Sequence, residues 1–273
     1  MDLQLTDRHV LITGGSKGIG LACALGFLRE GARVTLVSRS AAHLAAGAAQ
    51  LAEALAGHGI DRADAGRRIA SQPADLRDPA AAVAALDAAE AATGPVDVLV
   101  NSAGAARRYG ADELTPQYWR DAMDNKYFTY IHMLDPVIKR MAARGAGVIV
   151  NVIGAGGKVA ATTHLSGGAA NAALMLVSAG LAAAYGRRGV RVNAVNPGAT
   201  LTERLAEGLA VEARANGISV DEARRRISDG MPLGRIATPE EIADAVVFLA
   251  SPRASYISGA IVAMDGAVTP MVV

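Results

Sequence analysis

The sequence contains few cysteine and aromatic residues and carries almost no net charge. Cys23 is the single cysteine among 273 residues, which excludes an internal disulfide framework and a cysteine-based zinc site. Aromatic residues make up 4% of the chain, and 27 basic against 26 acidic residues leave a formal net charge of +1. This balance argues against a basic surface for nucleic acid or membrane. The polar start, Met1–Asp7, lacks the layout of a secretory signal. We therefore expect a cytoplasmic protein with no metal site.

Charged residues are also absent from one long run, which extends from Val159 to Gly186. The run is long enough to span a bilayer. However, it is rich in alanine and contains polar residues, among them His164, Asn171 and Ser178. We therefore predict a helix that is buried against the protein or in a subunit interface, and no membrane partner.

What the sequence does contain is an alternation of β-branched runs with alanine-rich helical runs. Apolar residues make up 51% of the chain, which excludes an intrinsically disordered protein. The predicted strands are 10–13, 34–37, 68–71, 96–100, 148–152, 190–194 and 260–263. The main predicted helices are 18–30, 41–56, 79–92, 115–143, 164–185 and 240–250. Segment 57–68 is predicted to be a surface loop. Several strands are continuously apolar, which is typical of a parallel sheet covered on both faces. The sequence therefore predicts one α/β domain over residues 1–273, with a doubly wound parallel sheet.

A glycine-rich turn follows the first predicted strand and opens the first predicted helix. Its sequence from Thr13 to Gly20 is T-G-G-S-K-G-I-G. Gly14 permits a tight turn, and Gly18 and Gly20 let the backbone and the helix approach a pyrophosphate, whose charge suits a helix N-terminus. An ordinary turn is the alternative, but the strand, loop and helix context favours a dinucleotide site. The predicted binding residues in this loop are Gly14, Ser16, Lys17, Gly18, Ile19 and Gly20.

The residues after the second predicted strand indicate which nucleotide would bind. A carboxylate at this place would bond a ribose 2′-hydroxyl and repel a 2′-phosphate. The sequence instead has Ser38, Arg39 and Ser40, and the guanidinium of Arg39 is a good partner for phosphate. Lys17 in the glycine loop adds a second cation. We therefore predict NADP(H) in preference to NAD(H); the alternative is that Arg39 is a solvated loop charge.

The G-x-x-x-G-x-G spacing of the glycine loop, together with later motifs, resembles the short-chain dehydrogenase/reductase family. The resemblance covers nearly the whole chain. The later motifs are, in order, Asp75-Leu76, Asn101-Ser102-Ala103-Gly104, Asn196-Pro197-Gly198 with Thr202, Pro232-Leu233-Gly234-Arg235, Pro239-Glu240-Glu241-Ile242-Ala243 and Asp265-Gly266. The resemblance implies a Rossmann-type fold and hydride transfer between a nicotinamide cofactor and a small-molecule substrate.

The resemblance also implies roles for residues outside the glycine loop in cofactor binding. Asp75 would bond the adenine amino group, and Leu76 would line the adenine pocket. Residues from Asn101 to Gly104, including Ala103, would back the ribose. The nicotinamide end would be bound by Pro197, Gly198, Thr200 and Thr202.

The positions that the family uses for catalysis carry other residues in this sequence. The family relies on a Tyr, a Lys that lowers the pKa of that Tyr, a Ser that holds the substrate oxygen and an Asn that anchors a water chain. Counting from Asn151 places the Ser at Gly154, and the segment Asn171-Ala172-Ala173-Leu174 places the Lys at Asn171 and the Tyr at Gly167. No Tyr-x-x-x-Lys motif occurs after Ile153. The family's usual mechanism therefore cannot be transferred to these residues.

The fourth catalytic position, counted from Trp119, falls on Lys126, with Asn125 one place before it. A desolvated Lys can have a pKa near neutrality and act as an acid. Lys126 is therefore a candidate replacement for the missing acid; the alternative is a solvated helix residue beside Asp124.

His164, three residues before Gly167, is the second candidate for the proton donor, because imidazole titrates near neutral pH. The alternative is a capping or loop histidine. Tyr109 and Lys158 are further candidates, Tyr109 for reaching into the site from a loop and Lys158 for binding an anionic substrate.

Three functions fit these observations. The first is an NADP(H)-dependent oxidoreductase with a non-standard proton donor. It is favoured because segment 197–202 and a predicted substrate-covering lid, 203–230, are both present. The second is a dehydratase or isomerase that keeps the nucleotide as a structural element. The third is an inactive nucleotide-binding homologue, such as a sensor or a partner subunit.

The uncharged helix also bears on the oligomeric state. A helix that is apolar on nearly all sides needs burial beyond its own sheet. In the family, this helix and the one before it pair between subunits. We therefore expect a homotetramer, with a dimer as the next alternative, and we expect the apolar tail 269–273 to pack in such a contact.

Overall fold

The structure, a computed structural model, describes residues 1–104 and 106–270, and at residues 211, 212 and 215 it describes the backbone alone. Within these ranges, seven parallel strands form one sheet in the order β3-β2-β1-β4-β5-β6-β7. The strands are β1 (His9–Thr13), β2 (Arg33–Ser38), β3 (Ile69–Pro73), β4 (Val98–Asn101), β5 (Gly147–Val152), β6 (Val190–Pro197) and β7 (Ile261–Met264). Most of the tail predicted to form a subunit contact, residues 271–273, lies outside the described residues.

Helices cover both faces of this sheet. They are α1 (Gly18–Arg29), α2 (Ala41–Ala56), α3 (Arg62–Arg67), α4 (Pro79–Thr93), α5 (Pro116–Ala122), α6 (Thr129–Arg144), α7 (Leu165–Tyr185), α8 (Glu203–Asn216), α9 (Val220–Asp229) and α10 (Pro239–Ala250). Because side chains alternate along a strand, β1 sends Val10 and Ile12 into the core beneath α1, α2 and α10, and Leu11 into the core beneath α4 and α6. The predicted doubly wound α/β fold is confirmed.

One local prediction is wrong, and another is confirmed with an irregularity that it did not include. Segment 57–68, predicted to be a loop, contains α3, which begins where the carboxylate of Asp61 accepts hydrogen bonds from two backbone N–H groups of the first turn. The predicted helix 115–143 is interrupted by a π-helical turn, Met123–Phe128, between α5 and α6. Such turns are rare and frequently lie at functional sites.

Segment 203–230, predicted to cover the substrate, folds largely as the two helices α8 and α9. Leu209, Ala213 and Ala223 form a small apolar cluster of their own between these helices. The hydroxyl of Thr202 caps the start of α8. The helical pair therefore has its own core and follows the carboxyl end of β6.

Helix α7 with the following turn, Leu165–Arg188, is long and apolar enough to cross a membrane by length and composition, with a mean hydropathy of 1.5. One of its faces packs against β6 and residues 155–157 and buries the polar side chains of Asn171 and Ser178. On another face, Leu176 is 77% exposed. Polar groups buried against the sheet are consistent with the predicted helix of an α/β domain.

Candidate active site

Hydrogen bonds between side chains connect the carboxyl ends of three neighbouring strands. The hydroxyl of Thr13 donates to Oδ1 of Asn101 (3.2 Å), and Nδ2 of Asn101 donates to Oδ1 of Asn151 (3.0 Å). Nδ2 of Asn151 donates in turn to the hydroxyl of Ser178 on α7 (2.9 Å). All four residues are buried. Ligands of open α/β sheets bind beyond the carboxyl ends of the strands, so these bonds fix the floor of the candidate site and attach α7 to it.

The glycine loop between β1 and α1 leaves space that side chains would fill. Gly14 has a φ of +66°, and a Cβ there would lie 2.9 Å from the backbone of Ala103. Residues 18–20 form the start of α1, which follows Lys17 without a side-chain cap and has no acidic residue in its first turn. The first N–H groups of the helix are therefore available to an anion. This loop fits the pyrophosphate of a dinucleotide.

Charged residues mark the predicted adenosine end of the site. The carboxylate of Asp75 pairs with the guanidinium of Arg77 (2.5 Å), which is the main cause of the lowered pKa of Asp75. The charge of Arg39, after β2, makes a smaller contribution to the same lowering; within the described residues Arg39 forms no ion pair of its own. Leu76 is buried and Ser38 half-buried. Arg39 is thus available to a phosphate, whereas Asp75 already has a cationic partner.

The loop after β6, where we predict the nicotinamide end, lies against the glycine loop. A Cβ at Gly18 would lie 3.4 Å from Cγ2 of Thr202. Lys17 and Glu203 form an ion pair across the two segments, with 3.2 Å between Nζ and Oε2. Thr200 is buried. The predicted nicotinamide-binding segment and the glycine loop are therefore neighbouring walls of one site.

The glycine-rich segment after β5 packs directly on α7. A Cβ at Gly157 would lie 2.7 Å from the backbone nitrogen of Ala172, so a side chain there would force the two segments apart. Gly154, the predicted Ser position, faces Asn171, the predicted Lys position. A Cβ at Gly154 would lie 3.2 Å from Nδ2 of Asn171. The structure therefore brings these two positions together, with the amide of Asn171 beside the space above Gly154.

The imidazole of His164 occupies the space beside Gly167, the predicted Tyr position. A Cβ at Gly167 would contact Cε1 of His164, would lie 2.5 Å from its Nε2, and would lie 2.8 Å from Cβ of Ala106. Burial lowers the pKa of His164, and the positive charges of Arg108, Arg204 and Lys126 lower it further. The absence of a side chain at residue 167 is therefore what allows this imidazole its position.

Lys126 lies in the π-helical turn and extends toward the end of β5. Its Nζ donates to the hydroxyl of Tyr130 (3.2 Å), and that hydroxyl donates to the carbonyl oxygen of Val152 (2.5 Å). Burial lowers the pKa of Lys126 to about 7, with a smaller contribution from the charge of Arg204. Among the described residues no carboxylate pairs with Lys126, and Asp124 acts instead on Arg77. Lys126 can therefore exchange a proton near neutral pH.

Two buried side-chain atoms within the described residues have no hydrogen-bond partner, and both belong to this site. They are Nδ1 of His164 and Oδ1 of Asn171. Buried polar atoms are nearly always satisfied, so an unpaired one needs an explanation such as a ligand or a catalytic role. The two side chains that carry these atoms lie beside Gly154 and Gly167, which favours a site that receives a polar group.

The other candidates from the sequence have different surroundings. Tyr109 stacks on Tyr118, with 4.1 Å between ring centroids, and Nζ of Lys158 donates to the carbonyl oxygen of Ile261 (3.4 Å). Sequence analysis missed Arg204, whose guanidinium donates to the carbonyl oxygen of Ala106 (3.0 Å). The sequence contains one signal for this residue. Arg204 lies in the first turn of α8, where a cation opposes the helix dipole and is therefore not there to stabilise the helix.

Comparisons with known proteins extend over almost the whole chain. Residues 14–269 match the family described as enoyl-(acyl carrier protein) reductase. D-threitol dehydrogenase of Mycolicibacterium smegmatis is 39% identical over 268 residues, covering 98% of this chain and 95% of that protein. Cis-4-hydroxycyclohexanecarboxylate dehydrogenase of Sinomonas cyclohexanicum is 34% identical over 270 residues, covering 98% and 99%. The crystal structure of L-sorbose reductase from Gluconobacter frateurii, complexed with NADPH and L-sorbose, matches with a TM-score of 0.90 and 29% identity over 100% of both chains.

The strand order and the glycine loop define a Rossmann-type α/β protein. The matches cover almost the whole chain, so they identify the family more specifically than the fold does. The chain belongs to the short-chain dehydrogenase/reductase family, as its motifs predict.

Proposed function

We propose that this protein is an NADP(H)-dependent oxidoreductase that interconverts a small alcohol and the corresponding carbonyl compound, with His164 as the group that gives or takes the proton. The relatives named above support this reaction class, and the NADPH in the L-sorbose reductase structure supports the cofactor. The observation that carries the proposal is the pair of unpartnered buried atoms on His164 and Asn171.

NADP(H), when bound, supplies or accepts the hydride. The unpaired Arg39 would hold the 2′-phosphate, and the uncapped start of α1 would hold the pyrophosphate. The ion pair between Lys17 and Glu203 joins the glycine loop to α8. The helices α8 and α9 then form the lid over the substrate.

The proton is handled by His164 in this proposal. In reduction, the imidazolium donates its proton to the oxygen of the substrate carbonyl; in oxidation, the neutral imidazole accepts the proton of the hydroxyl. Nδ2 of Asn171 donates a hydrogen bond to the same oxygen across the space left by Gly154. His164 thereby takes the role that the family gives to a Tyr, and Asn171 takes the role that it gives to a Ser.

Lys126 acts as a positioning residue through its charge. Burial and the charges of Arg108 and Arg204 lower the pKa of His164 most, and the ammonium of Lys126 lowers it further, which makes the imidazolium a stronger acid. Because the pKa of Lys126 is itself about 7, this influence is lost as the pH rises above neutrality. The competing assignment is that Lys126 donates the proton itself. Substituting His164 and Lys126 one at a time distinguishes the two assignments.

The test begins with a titration of the protein with NADPH and NADH and continues with a panel of alcohols and carbonyl compounds, followed at the cofactor absorbance. We expect tighter binding of NADPH and turnover that falls by roughly 10²–10⁴-fold in His164→Gln. The change in Lys126→Met should be smaller, and its pH profile should be shifted.

The same experiment distinguishes the two other functions. Product formation without a change in cofactor absorbance would indicate a dehydratase or isomerase. Tight NADPH binding with no product from any member of the panel would indicate an inactive nucleotide-binding homologue. Failure to bind either nucleotide would contradict all three.

A further inference from the structure

Two guanidinium groups lie beside His164 and Gly167, on a side of the site that the proposed function does not use. Arg108 extends from the loop after β4 to the hydroxyl of Thr163, the residue before His164 (3.5 Å). Arg204 extends from α8 to the carbonyl oxygen of Ala106 (3.0 Å), and Cβ of Ala106 lies 2.8 Å from the Cβ position of Gly167. The two cations therefore reach the same rim from two separate segments.

Neither guanidinium is neutralised by a carboxylate within the part of the chain that the structure describes. Both bond neutral oxygens, those of Thr163 and Ala106. None of the carboxylates nearby in sequence forms an ion pair with either guanidinium within the described residues. Asp112 is in no ion pair there, and Glu113 accepts from the N–H of Gly110. Glu203 pairs with Lys17, and Glu207 acts on Arg204 through its charge alone.

Arginines without a carboxylate partner also occur away from the site, but they are held by more bonds. Arg191 makes four hydrogen bonds to backbone carbonyl oxygens. Arg108 and Arg204 make one each within the described residues, which leaves donors for a ligand. Besides burial, the charges of Arg108, Arg204 and Lys126 disfavour the protonated form of His164. An anion between Arg108 and Arg204 would offset this repulsion and raise the pKa of the imidazole, although the lowering by burial would remain.

We propose that Arg108 and Arg204 bind an anionic group of the substrate, a carboxylate or a phosphoryl group, so that the substrate is an anionic alcohol or carbonyl compound. This inference rests on the proposed function and names the substrate class for it. A guanidinium presents parallel N–H donors that match both kinds of anion. Because Arg204 belongs to α8, the anion also links the bound substrate to the lid.

The inference is tested by isothermal titration calorimetry of the full-length protein saturated with NADP⁺, using benzoate, phenyl phosphate and benzamide. We expect at least one of the two anions to bind about tenfold or more tightly than benzamide, and the tighter anion identifies the group. Arg108→Gln and Arg204→Gln should each weaken anion binding by about tenfold, the loss expected for one charged hydrogen bond.

Two variants control for structural effects. Arg204→Lys keeps the charge and should retain most of the affinity for the anion. Arg187→Gln removes an exposed arginine at the opposite edge of the sheet and should change nothing. Equal binding of anions and benzamide, including no measurable binding of any, would overturn the inference. So would anion binding that neither Arg108→Gln nor Arg204→Gln alters.

The outcome is separable from that of the proposed function, because binding does not require turnover. If the anions bind through Arg108 and Arg204 but no redox reaction is found, the anion site stands and the proposed function fails. If neutral alcohols are oxidised and the anions show no preference, the substrate class fails and the proposed function stands.

Discussion

At the scale of single residues, glycines at two positions of the candidate site leave space for neighbouring side chains. Glycine at 154 and 167 removes two side chains, and the imidazole of His164 and the amide of Asn171 lie in the space that results. Each carries one buried atom without a partner. Leaving a buried polar atom unpaired costs about 1–3 kcal/mol. Such a cost is expected where a bound hydroxyl group completes the bonding, because Oδ1 of Asn171 can only accept a hydrogen bond.

Gly167 and His164 should therefore be coupled in stability. Gly167→Ala gains about 1 kcal/mol from helix propensity but forces the new Cβ against the imidazole, an overpacking that costs about 1–3 kcal/mol. In a His164→Ala background this clash is removed, although Ala106 still lies close. We expect Gly167→Ala to be less destabilising, by about 1 kcal/mol or more, in that background. Urea unfolding of the wild type, both single variants and the double variant measures this difference; additive effects would contradict the observed contact.

Lys126 gives a pH dependence whose sign follows from its pKa. The pKa is lowered from the ordinary 10.5 to about 7 in the folded protein, so between these values the unfolded chain binds more protons. The free energy of unfolding should therefore rise with pH above about 7, by at most about 1.4 kcal/mol per pH unit. Lys126→Met should lack this rise. Urea unfolding at several pH values between about 6 and 9 checks it, and parallel curves for the two proteins would contradict a desolvated ammonium.

At the scale of elements, alternation of apolar runs was enough to predict the sheet, because β1, β4 and the last four residues of β5 are buried on both faces. Helix α3 was missed because its short polar sequence has no apolar period. The π-helical turn was missed because a one-turn irregularity leaves the apolar pattern of the surrounding helix almost unchanged. The π-helical turn nevertheless contains Lys126 and so determines where this side chain lies.

The candidate site was predictable in part for the same reason. The glycine loop and the segment from Gly154 to Asn171 are local in sequence, so motif spacing located them. The contact between Arg204 and Ala106 joins residues 98 positions apart and depends on how α8 folds back. Spacing along the chain carries no information about such a contact.

The carboxyl end of β2 should decide the cofactor. Arg39→Asp places a carboxylate where the 2′-phosphate is expected, and we predict that NADPH binding weakens by about tenfold or more while NADH binding is retained or improves. Fluorescence titrations with both nucleotides measure the change. Arg187→Asp makes the same charge change away from the site and serves as the control. Equal losses for NADPH and NADH in Arg39→Asp would show that Arg39 does not contact the 2′-phosphate.

At the scale of the whole molecule, the exposed face of α7 predicts self-association. Leu176 is 77% exposed on a helix without charged residues, an arrangement that needs a covering surface. We expect a homotetramer, or else a dimer, in size-exclusion chromatography with light scattering. Leu176→Glu should shift the protein toward a smaller species, whereas Val83→Glu, on another exposed apolar residue, should not. A monomeric wild type would contradict the expectation.

The central claim is that His164 moves the proton, and the pH dependence of kcat/KM for NADPH-dependent reduction tests it most directly. The free-enzyme pKa of His164 lies below its ordinary 6.5, so kcat/KM should fall as the pH rises through that lower value. In His164→Gln this dependence should disappear, together with roughly 10²–10⁴-fold of the rate. A His164→Gln variant with the rate and pH profile of the wild type would contradict the account.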